Sequence, residues 1–220
     1  MLMVRVKICC IGSVEEARLA VSKGASALGL VSEMPSGPGV ITEESIARIA
    51  TSVPPAVATV LLTSRTEPTE IIAQQKRCRV NTIQICDRLE AGAHAALRDA
   101  LPGVSLVQVV HVDDESSVDE ALQAGRDVDA ILLDSGKQNA QVKELGGTGR
   151  THDWALSRVI VQNTDLPVFL AGGLHAGNIR EAIRTVRPFG VDLCTGVRTD
   201  GLLDPVKLGA FMAALWRNDA

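Results

Sequence analysis

Several apolar segments in this sequence end on residue types that can do chemistry. One segment ends on a thiol at Cys9, another ends on a carboxyl group at Asp134, and two others run into the glycines Gly172-Gly173 and Gly196. A thiol and a carboxyl group can exchange protons with a substrate. Backbone N–H groups of glycine-rich loops can bind a phosphate group. These residue types predict an acid–base site for a phosphorylated small molecule.

The first apolar segment places its thiol beside a cation. Strand side chains alternate with a period of two, so Lys7 and Cys9 share one face and aliphatic residues occupy the other. A thiol beside a lysine ionises more readily and can act as a base, although Cys9 can also be read as a small buried hydrophobic residue. The alternation predicts that Cys10 points away from Cys9, which disfavours a shared metal. Cys10, Cys78 and Cys194 are expected to be structural.

Asp134 follows the most hydrophobic segment of the chain, Asp129–Leu133. A carboxyl group in such a position is partly desolvated, which raises its pKa and suits a general acid. The alternative is that Asp134 caps a helix or forms a salt bridge in a loop. In the last apolar segment, Asp192 shares a face with Cys194 and is a candidate partner for Lys7.

Glycine-rich stretches follow three of the apolar segments. Gly172-Gly173 and Gly196 are predicted to donate backbone N–H groups to a phosphate, the alternative being that they only form tight turns. The stretch Gly146–Gly149 is predicted to be a loop that closes over a ligand, although this pattern alone is a weak signal.

The chain as a whole repeats a strand and a helix. Apolar runs that predict strands begin near Val4, Ala27, Val57, Thr82, Ser105, Ala130, Pro167 and Val191. Amphipathic stretches that predict helices lie over 13–23, 42–51, 68–76, 89–100, 116–124, 178–186 and 205–217. Ser13 and Thr42 stand at expected helix N-caps, and Ser13 with Glu16 completes a capping box.

This repeat predicts parallel strands joined by right-handed crossovers. One closed (β/α)8 barrel, or TIM barrel, over residues 1–220 accommodates eight such units most economically. The alternative is an open doubly wound sheet, but no G-x-G-x-x-G pattern follows the first strand. Since the active sites of barrels lie at the carboxyl ends of the strands, the candidate residues should meet there.

The composition restricts the remaining classes of protein. A net charge of −4 argues against a nucleic-acid partner, and no apolar run reaches the roughly 18 residues of a membrane span. The N-terminus lacks the layout of a signal peptide. Five cysteines, two of them adjacent, do not suggest a disulfide framework. We therefore expect a cytoplasmic protein with a small-molecule substrate.

At these positions the sequence resembles the phosphoribosylanthranilate isomerases of tryptophan biosynthesis. The matching pieces occur in the family's order over nearly the whole chain, and they are specific in combination. They are Lys7-Ile8-Cys9, Gly24-Ala25 with Leu28-Gly29-Leu30, Gln84, Leu133-Asp134, Gly146–Gly149 with Asp153-Trp154, Leu170–Leu174 with Asn178, and Gly190–Asp192 leading to Gly196-Val197.

The resemblance implies a cofactor-independent Amadori rearrangement, in which an aminoaldose 5-phosphate becomes an aminoketose. It implies that Asp134 is the general acid that opens the furanose ring and that Cys9 is the general base that removes the C2 proton. No metal is expected. The residues expected to bind the substrate or its phosphate are Lys7, Gln84, Gly147, Thr148, Gly149, Gly172, Gly173, Asp192, Gly196, Val197 and Arg198.

The sequence departs from the family pattern on the anthranilate side of the site. The arginine that follows the second strand in the family is absent from residues 34–40. Cys10 replaces a glycine, Asp87 follows the fourth strand where the family has a neutral turn, and Arg198 stands where the family has glutamate. Loss of a bidentate arginine costs a few kcal/mol of carboxylate binding unless Arg198 or Arg150 replaces it.

The sequence leaves three functions open. The first is phosphoribosylanthranilate isomerase activity, and the second is a related isomerisation of another phosphosugar amine with the same acid and base. The third is a catalytically silent barrel that binds a phosphorylated ligand. Members of the family occur as monomers and as dimers, and the sequence leaves both states open.

Overall fold

The computed structural model describes residues 4–135 and 151–216. Within these ranges, eight parallel strands form a closed barrel in chain order, and the eighth strand pairs with the first. The (β/α)8 barrel is therefore confirmed, and each strand begins within one residue of its predicted start. The strands are β1 (Arg5–Ile8), β2 (Ala27–Val31), β3 (Ala58–Thr63), β4 (Thr82–Ile85), β5 (Ser105–His111), β6 (Ala130–Asp134), β7 (Val168–Leu170) and β8 (Gly190–Leu193).

Helices alternate with the strands and cover the outside of the barrel. They are α1 (Val14–Ser22), α2 (Glu43–Ser52), α3 (Pro68–Cys78), α4 (Ala93–Ala100), α5 (Ser116–Ala124), α6 (Trp154–Gln162), α7 (Ile179–Val186) and α8 (Pro205–Trp216). Eight predicted strand–helix units imply a helix in the interval of α6, although no range was predicted for it. In the part of the chain that is described, none of the helices has the length and apolar character to cross a membrane.

The predicted N-caps are confirmed. The hydroxyl of Ser13 accepts a hydrogen bond from the backbone N–H of Glu16, and the hydroxyl of Thr42 accepts one from Ser45. The capping box is modified, because the Glu16 carboxylate accepts from the N–H of Gly12, one residue before the cap. Glu16 therefore reaches back over the loop that joins β1 to α1.

Alternation along each strand divides the apolar side chains between two layers. Val6 and Ile8 are buried between the strands and the helices. Cys9 belongs to a separate cluster inside the barrel, with small residues such as Ala27 and Ala130. Lys7 also faces the interior, where it reaches Asp192. The two faces predicted for β1 are therefore confirmed.

The chain forms a small hairpin between the barrel and its last helix. A 3-10 helix, Thr195–Val197, follows β8, and the antiparallel strands β9 (Arg198–Thr199) and β10 (Leu202–Leu203) come next. The Glu16 carboxylate accepts a hydrogen bond from the N–H of Leu203 at 2.7 Å. The hairpin is thus connected to the start of α1, which places it beside the β1–α1 loop.

Candidate active site

A pocket of about 680 Å³, including space open to solvent, lies at the carboxyl ends of the strands. It is where the fold class places catalytic groups. Loops from several strands contribute to its wall, so the site is assembled from residues far apart in sequence. The lining residues are Cys9, Cys10, Val31, Met34, Ser36, Gly37, Pro38, Leu62, Gln84, Asp134, Ala171, Gly172, Gly173, Leu174, Asp192, Leu193, Cys194 and Thr195.

Cys9 lies directly after β1 with its thiol in the pocket, and the residue is 6% exposed. Its backbone N–H donates to the carbonyl of Leu193 at 2.7 Å, which continues the β1–β8 pairing. Gly29 on β2 makes room for it, because a Cβ there would lie 2.8 Å from Cys9 Sγ and 3.1 Å from Lys7 Nζ. The thiol and the lysine ammonium group are therefore close neighbours.

The prediction that Cys10 points away from Cys9 is wrong. Strand alternation ends at Ile8, and Cys10 has a φ of 63°, in the left-handed region. Its side chain therefore turns back to line the same pocket as Cys9 and Cys194. A residue with a Cβ pays about 1–2 kcal/mol for this conformation, which glycine, the residue of the family pattern, adopts without that cost.

The thiols of Cys10 and Cys194 interact directly. Their contact raises the pKa of Cys10 and lowers that of Cys194, while the Cys10 thiol donates to the carbonyl of Pro38 at 3.6 Å. The positive charge of Arg198 also lowers the pKa of Cys194. Cys194 was expected to be merely structural, but its position in the pocket and its partly exposed side chain make it part of the site. Its shared face with Asp192 was the sequence signal that pointed there.

Asp134 ends β6 inside the pocket, where it is 8% exposed. Burial raises its pKa to about 6, although the backbone N–H of Ser135 donates to the carboxylate at 2.7 Å and opposes the shift. The predicted position and the predicted direction of the shift are both found. A carboxyl group with this pKa holds a proton at mildly acidic pH, as a general acid requires.

Lys7 and Asp192 form the predicted ion pair, with 2.8 Å between Nζ and Oδ2. Burial disfavours the charged lysine, but the Asp192 carboxylate outweighs this effect and raises the pKa of Lys7. Asp192 lines the pocket, whereas Lys7 lies below it. Within the described residues, Asp192 Oδ1 and Gln84 Oε1 are buried without a hydrogen-bond partner. Both residues border the pocket, so they present acceptors suited to the hydroxyl groups of a sugar.

The glycines after β7 and β8 have different roles. Gly172 and Gly173 line the pocket and have φ values of 83° and 59°, so their conformations favour glycine. Gly196 is outside the lining, and a Cβ there would lie 2.1 Å from the carbonyl oxygen of Leu174. It lets the loop after β8 pack against the loop after β7. Val197, which is fully buried in the outer core, does not line the pocket either.

Arg198 is not placed to bind a substrate carboxylate. Its guanidinium group is engaged by Glu16 and by the carbonyls of Cys9, Cys10 and Gly201. Arg198 itself does not line the pocket. Among the described residues that line the pocket there is no arginine or lysine. Asp87 is buried and is also absent from the lining. The predicted site residues Gly147, Thr148 and Gly149, and the alternative cation Arg150, lie outside the described residues.

The fold and the site together define a class. A closed parallel barrel carries a thiol and a protonatable carboxyl group in one pocket, next to a glycine loop after β7. This arrangement is that of a barrel enzyme with acid–base chemistry at the carboxyl ends of its strands.

Comparisons with known proteins agree with that class. A model of the N-(5'phosphoribosyl)anthranilate (PRA) isomerase family matches residues 6–214. A relative of that name from Methanocella arvoryzae is 34% identical over 90% of this chain and 91% of its own. One from Haloarcula marismortui is 36% identical over 90% and 89%. The chain therefore belongs to the phosphoribosylanthranilate isomerase family, and it is an isomerase.

Solved structures show the same likeness. The phosphoribosyl anthranilate isomerase of Thermotoga maritima is 30% identical, with a TM-score of 0.83 over 97% of this chain and 98% of its own. A second structure, phosphoribosyl anthranilate isomerase in complex with reduced 1-(o-carboxyphenylamino)-1-deoxyribulose 5-phosphate, is 28% identical, with a TM-score of 0.80 over 97% and 98%. That relative binds a phosphosugar that carries a carboxyphenyl group.

Proposed function

We propose that this chain converts N-(5'-phosphoribosyl)anthranilate into 1-(o-carboxyphenylamino)-1-deoxyribulose 5-phosphate, with Asp134 as general acid and Cys9 as general base. The observation that carries the assignment is that a carboxyl group with a raised pKa and a strand-end thiol share one pocket. The complex of a relative with the reduced product supports this substrate class. The reaction moves protons within one molecule and needs no redox partner.

The first step is ring opening by Asp134. Its carboxyl group gives a proton to the furanose ring oxygen, the bond from C1 to that oxygen breaks, and the nitrogen lone pair forms a Schiff base. At pH 7, a pKa of about 6 leaves roughly one Asp134 in ten protonated. The rate constant of this step should therefore fall as the pH rises above 6.

The second step is removal of the C2 proton by Cys9. The thiolate takes this proton, and the electron pair of the C–H bond moves toward the iminium nitrogen to give an enolamine, which tautomerises to the aminoketose. The ammonium group of Lys7, held by Asp192, lies next to Cys9 below the pocket. Asp192 and Gln84 supply acceptors for the sugar hydroxyls.

The phosphate and carboxylate of the substrate need separate partners. Gly172 and Gly173 offer backbone in the pocket wall for the phosphate, as the sequence analysis predicted. The sequence offered Arg198 and Arg150 for the carboxylate, and Arg198 is committed to Glu16 and to backbone carbonyls. Loss of a bidentate arginine contact costs a few kcal/mol of carboxylate binding, so Arg150→Met should raise KM at least about tenfold.

Substitution of the acid and the base tests the proposed chemistry. Cys9→Ser and Asp134→Asn should each lower kcat by about two to four orders of magnitude, because each removes one proton-transfer group. Circular dichroism and thermal melting establish that the variants fold. Cys78→Ala is the matched control, since Cys78 is a buried thiol in the outer core, away from the pocket. Wild-type turnover in either variant contradicts the mechanism.

A related isomerase of another phosphosugar amine is the second candidate. It is favoured by one observation, the lack of a lysine or arginine among the described residues that line the pocket. Complementation of a tryptophan auxotroph that lacks this isomerase separates the candidates. Growth supports the anthranilate substrate, and failure to grow despite soluble protein supports the altered substrate.

A further inference from the structure

Arg198 contacts the backbone of the proposed base from outside the pocket. Its Nη2 donates to the carbonyl of Cys9 at 3.2 Å and also to the carbonyl of Cys10, while Nη1 donates to the carbonyl of Gly201 at 2.8 Å. The side chain is 7% exposed. Of its three guanidinium nitrogens, only Nε lacks a partner among the described residues. Both amino nitrogens are therefore committed to protein acceptors.

Glu16 fixes this guanidinium group. Its two oxygens lie 3.2 and 3.1 Å from Nη1 and Nη2 of Arg198, and they also accept from the N–H groups of Gly12 and Leu203. Burial disfavours the charged carboxylate, but Arg198 and these two N–H groups outweigh it, and the pKa of Glu16 is lowered. Glu16 and Arg198 thus join the β1–α1 loop to the β9–β10 hairpin.

The contacts of Arg198 depend on a sharp turn after β1. The carbonyls of consecutive residues in a strand point in opposite directions, but those of Cys9 and Cys10 converge on one nitrogen of Arg198. The left-handed φ of Cys10 accompanies this convergence. Charge-assisted hydrogen bonds to the two carbonyls therefore favour a backbone conformation that a cysteine otherwise disfavours.

We propose that Arg198 is a positioning residue for the isomerisation: supported by Glu16, it holds the backbone of Cys9 and Cys10 so that the Cys9 thiol stays aligned with the substrate C2 proton. It acts through Cys9 and does not touch the substrate. This role rests on the proposed function of Cys9.

Kinetics of Arg198 variants test the proposal. Arg198→Met should lower kcat about 10- to 100-fold and change KM less than about threefold, since misalignment of a proton-transfer group affects the chemical step. Arg198→Lys should retain part of the activity, because an ammonium group can still donate to one carbonyl. Arg98→Met is the matched control, since Arg98 forms an exposed pair with Asp129 outside the pocket. Wild-type kcat in folded Arg198→Met overturns the proposal.

A second substitution separates positioning from general stability. Glycine adopts the left-handed conformation of residue 10 without strain, so adding Cys10→Gly to Arg198→Met should recover at least tenfold of the lost kcat. A merely structural arginine predicts no such recovery, and its loss of activity would follow the melting temperature. The proposal is therefore overturned if the double variant has the melting temperature of the wild type and its kcat does not recover.

A measurement without substrate distinguishes this proposal from the proposed function. The rate of Cys9 alkylation by iodoacetamide, read by peptide mass spectrometry, should change at least threefold in Arg198→Met, while the rate for Cys78 stays constant. If wild-type protein does not isomerise the anthranilate substrate, the proposed function fails, and the alkylation rate still decides whether Arg198 positions Cys9. An unchanged Cys9 rate overturns the positioning role. If Arg198→Met fails to fold, kcat and the Cys9 alkylation rate are measured in Arg198→Lys instead.

Discussion

The carboxyl group of Asp134 is stable in its pocket when protonated and unfavourable there when ionised. It is 8% exposed, and burial raises its pKa to about 6 from an ordinary value near 3.8. Hydrogen bonds from Ser135 and the charge of Lys7 oppose this shift, but they do not compensate fully for the lost hydration. The property that suits this residue to acid catalysis should therefore lower the stability of the folded protein at neutral pH.

Asp134→Asn should stabilise the protein in a pH-dependent way. The pKa of Asp134 is higher in the folded protein than in the unfolded chain, so the folded protein binds more protons than the unfolded chain between about pH 4 and 6. The stability that the protonated Asp134 contributes is therefore lost as the pH rises through this window. Relative to the wild type, the variant should gain up to about 3 kcal/mol between pH 4 and pH 8. Urea unfolding at both pH values measures the difference, and equal changes in both proteins would refute the assignment of the raised pKa.

Cys194 should be the most reactive of three thiols that differ in burial. The contact with Cys10 lowers the pKa of Cys194, whereas burial raises the pKa values of Cys78 and Cys86 to about 12. At pH 7.5, iodoacetamide should label Cys194 at least tenfold faster than Cys78 or Cys86, since the thiolate is the reacting form. Peptide mass spectrometry gives the three rates, and equal rates would contradict this reading.

At the scale of elements, the loops after β7 and β8 depend on a close backbone contact. A Cβ at Gly196 would lie 2.1 Å from the Leu174 carbonyl oxygen, which is backbone and cannot move aside cheaply. Gly196→Ala should destabilise the protein by about 1–3 kcal/mol and raise KM, because it separates the two loops that border the pocket.

Gly209→Ala is the control for this substitution. Gly209 lies within α8, and no atom beyond its chain neighbours and the backbone of its own helix lies within 4 Å of the added Cβ. Alanine in a helix interior is favoured over glycine by about 0.5–1 kcal/mol, so this variant should be slightly stabilised with unchanged KM. Denaturant melts and steady-state kinetics of both variants make the comparison. A neutral Gly196→Ala would mean that the loops relax independently.

At the scale of the whole molecule, the Lys7–Asp192 pair spans the closure of the barrel. The two residues are opposite each other in the register between the first and last strands, and both are at least nine-tenths buried. Lys7→Met should cost about 3–5 kcal/mol of unfolding free energy, since it leaves a buried carboxylate unpaired. Adding Asp192→Leu should recover most of this loss, because the pair then leaves no unpaired charge behind.

An exposed ion pair gives the reference for the closure experiment. Arg98 and Asp129 lie 2.9 Å apart with side chains 44% and 41% exposed, so Arg98→Met should cost less than about 1 kcal/mol. Urea midpoints of the four proteins separate the cases. A Lys7→Met variant as stable as Arg98→Met would show that Lys7 and Asp192 do not stabilise the closed barrel.

Much of this architecture could be predicted from the sequence. Strand starts followed from short apolar runs, and the helix N-caps at Ser13 and Thr42 followed from side chains that accept nearby N–H groups. These signals are local, so a periodic pattern or a single capping residue reveals them. The β9–β10 hairpin was not predicted, because strands of two residues carry no period.

The sequence alone also determined which residues reach the site by strand alternation. Cys9, Asp134 and Asp192 were predicted at strand ends or on inward faces, and all three line the pocket. This inference works because period-two geometry and parallel closure leave few alternatives for where such side chains point.

Only the tertiary structure decided what lies beyond the strands. Cys10 turns into the pocket because its backbone is left-handed, and Arg198 turns to Glu16 and the Cys9 and Cys10 carbonyls instead of a ligand. Gly196 serves a contact with Leu174, not the pocket wall. These outcomes depend on atoms brought together from distant parts of the chain, and residue type or spacing does not encode such distances locally.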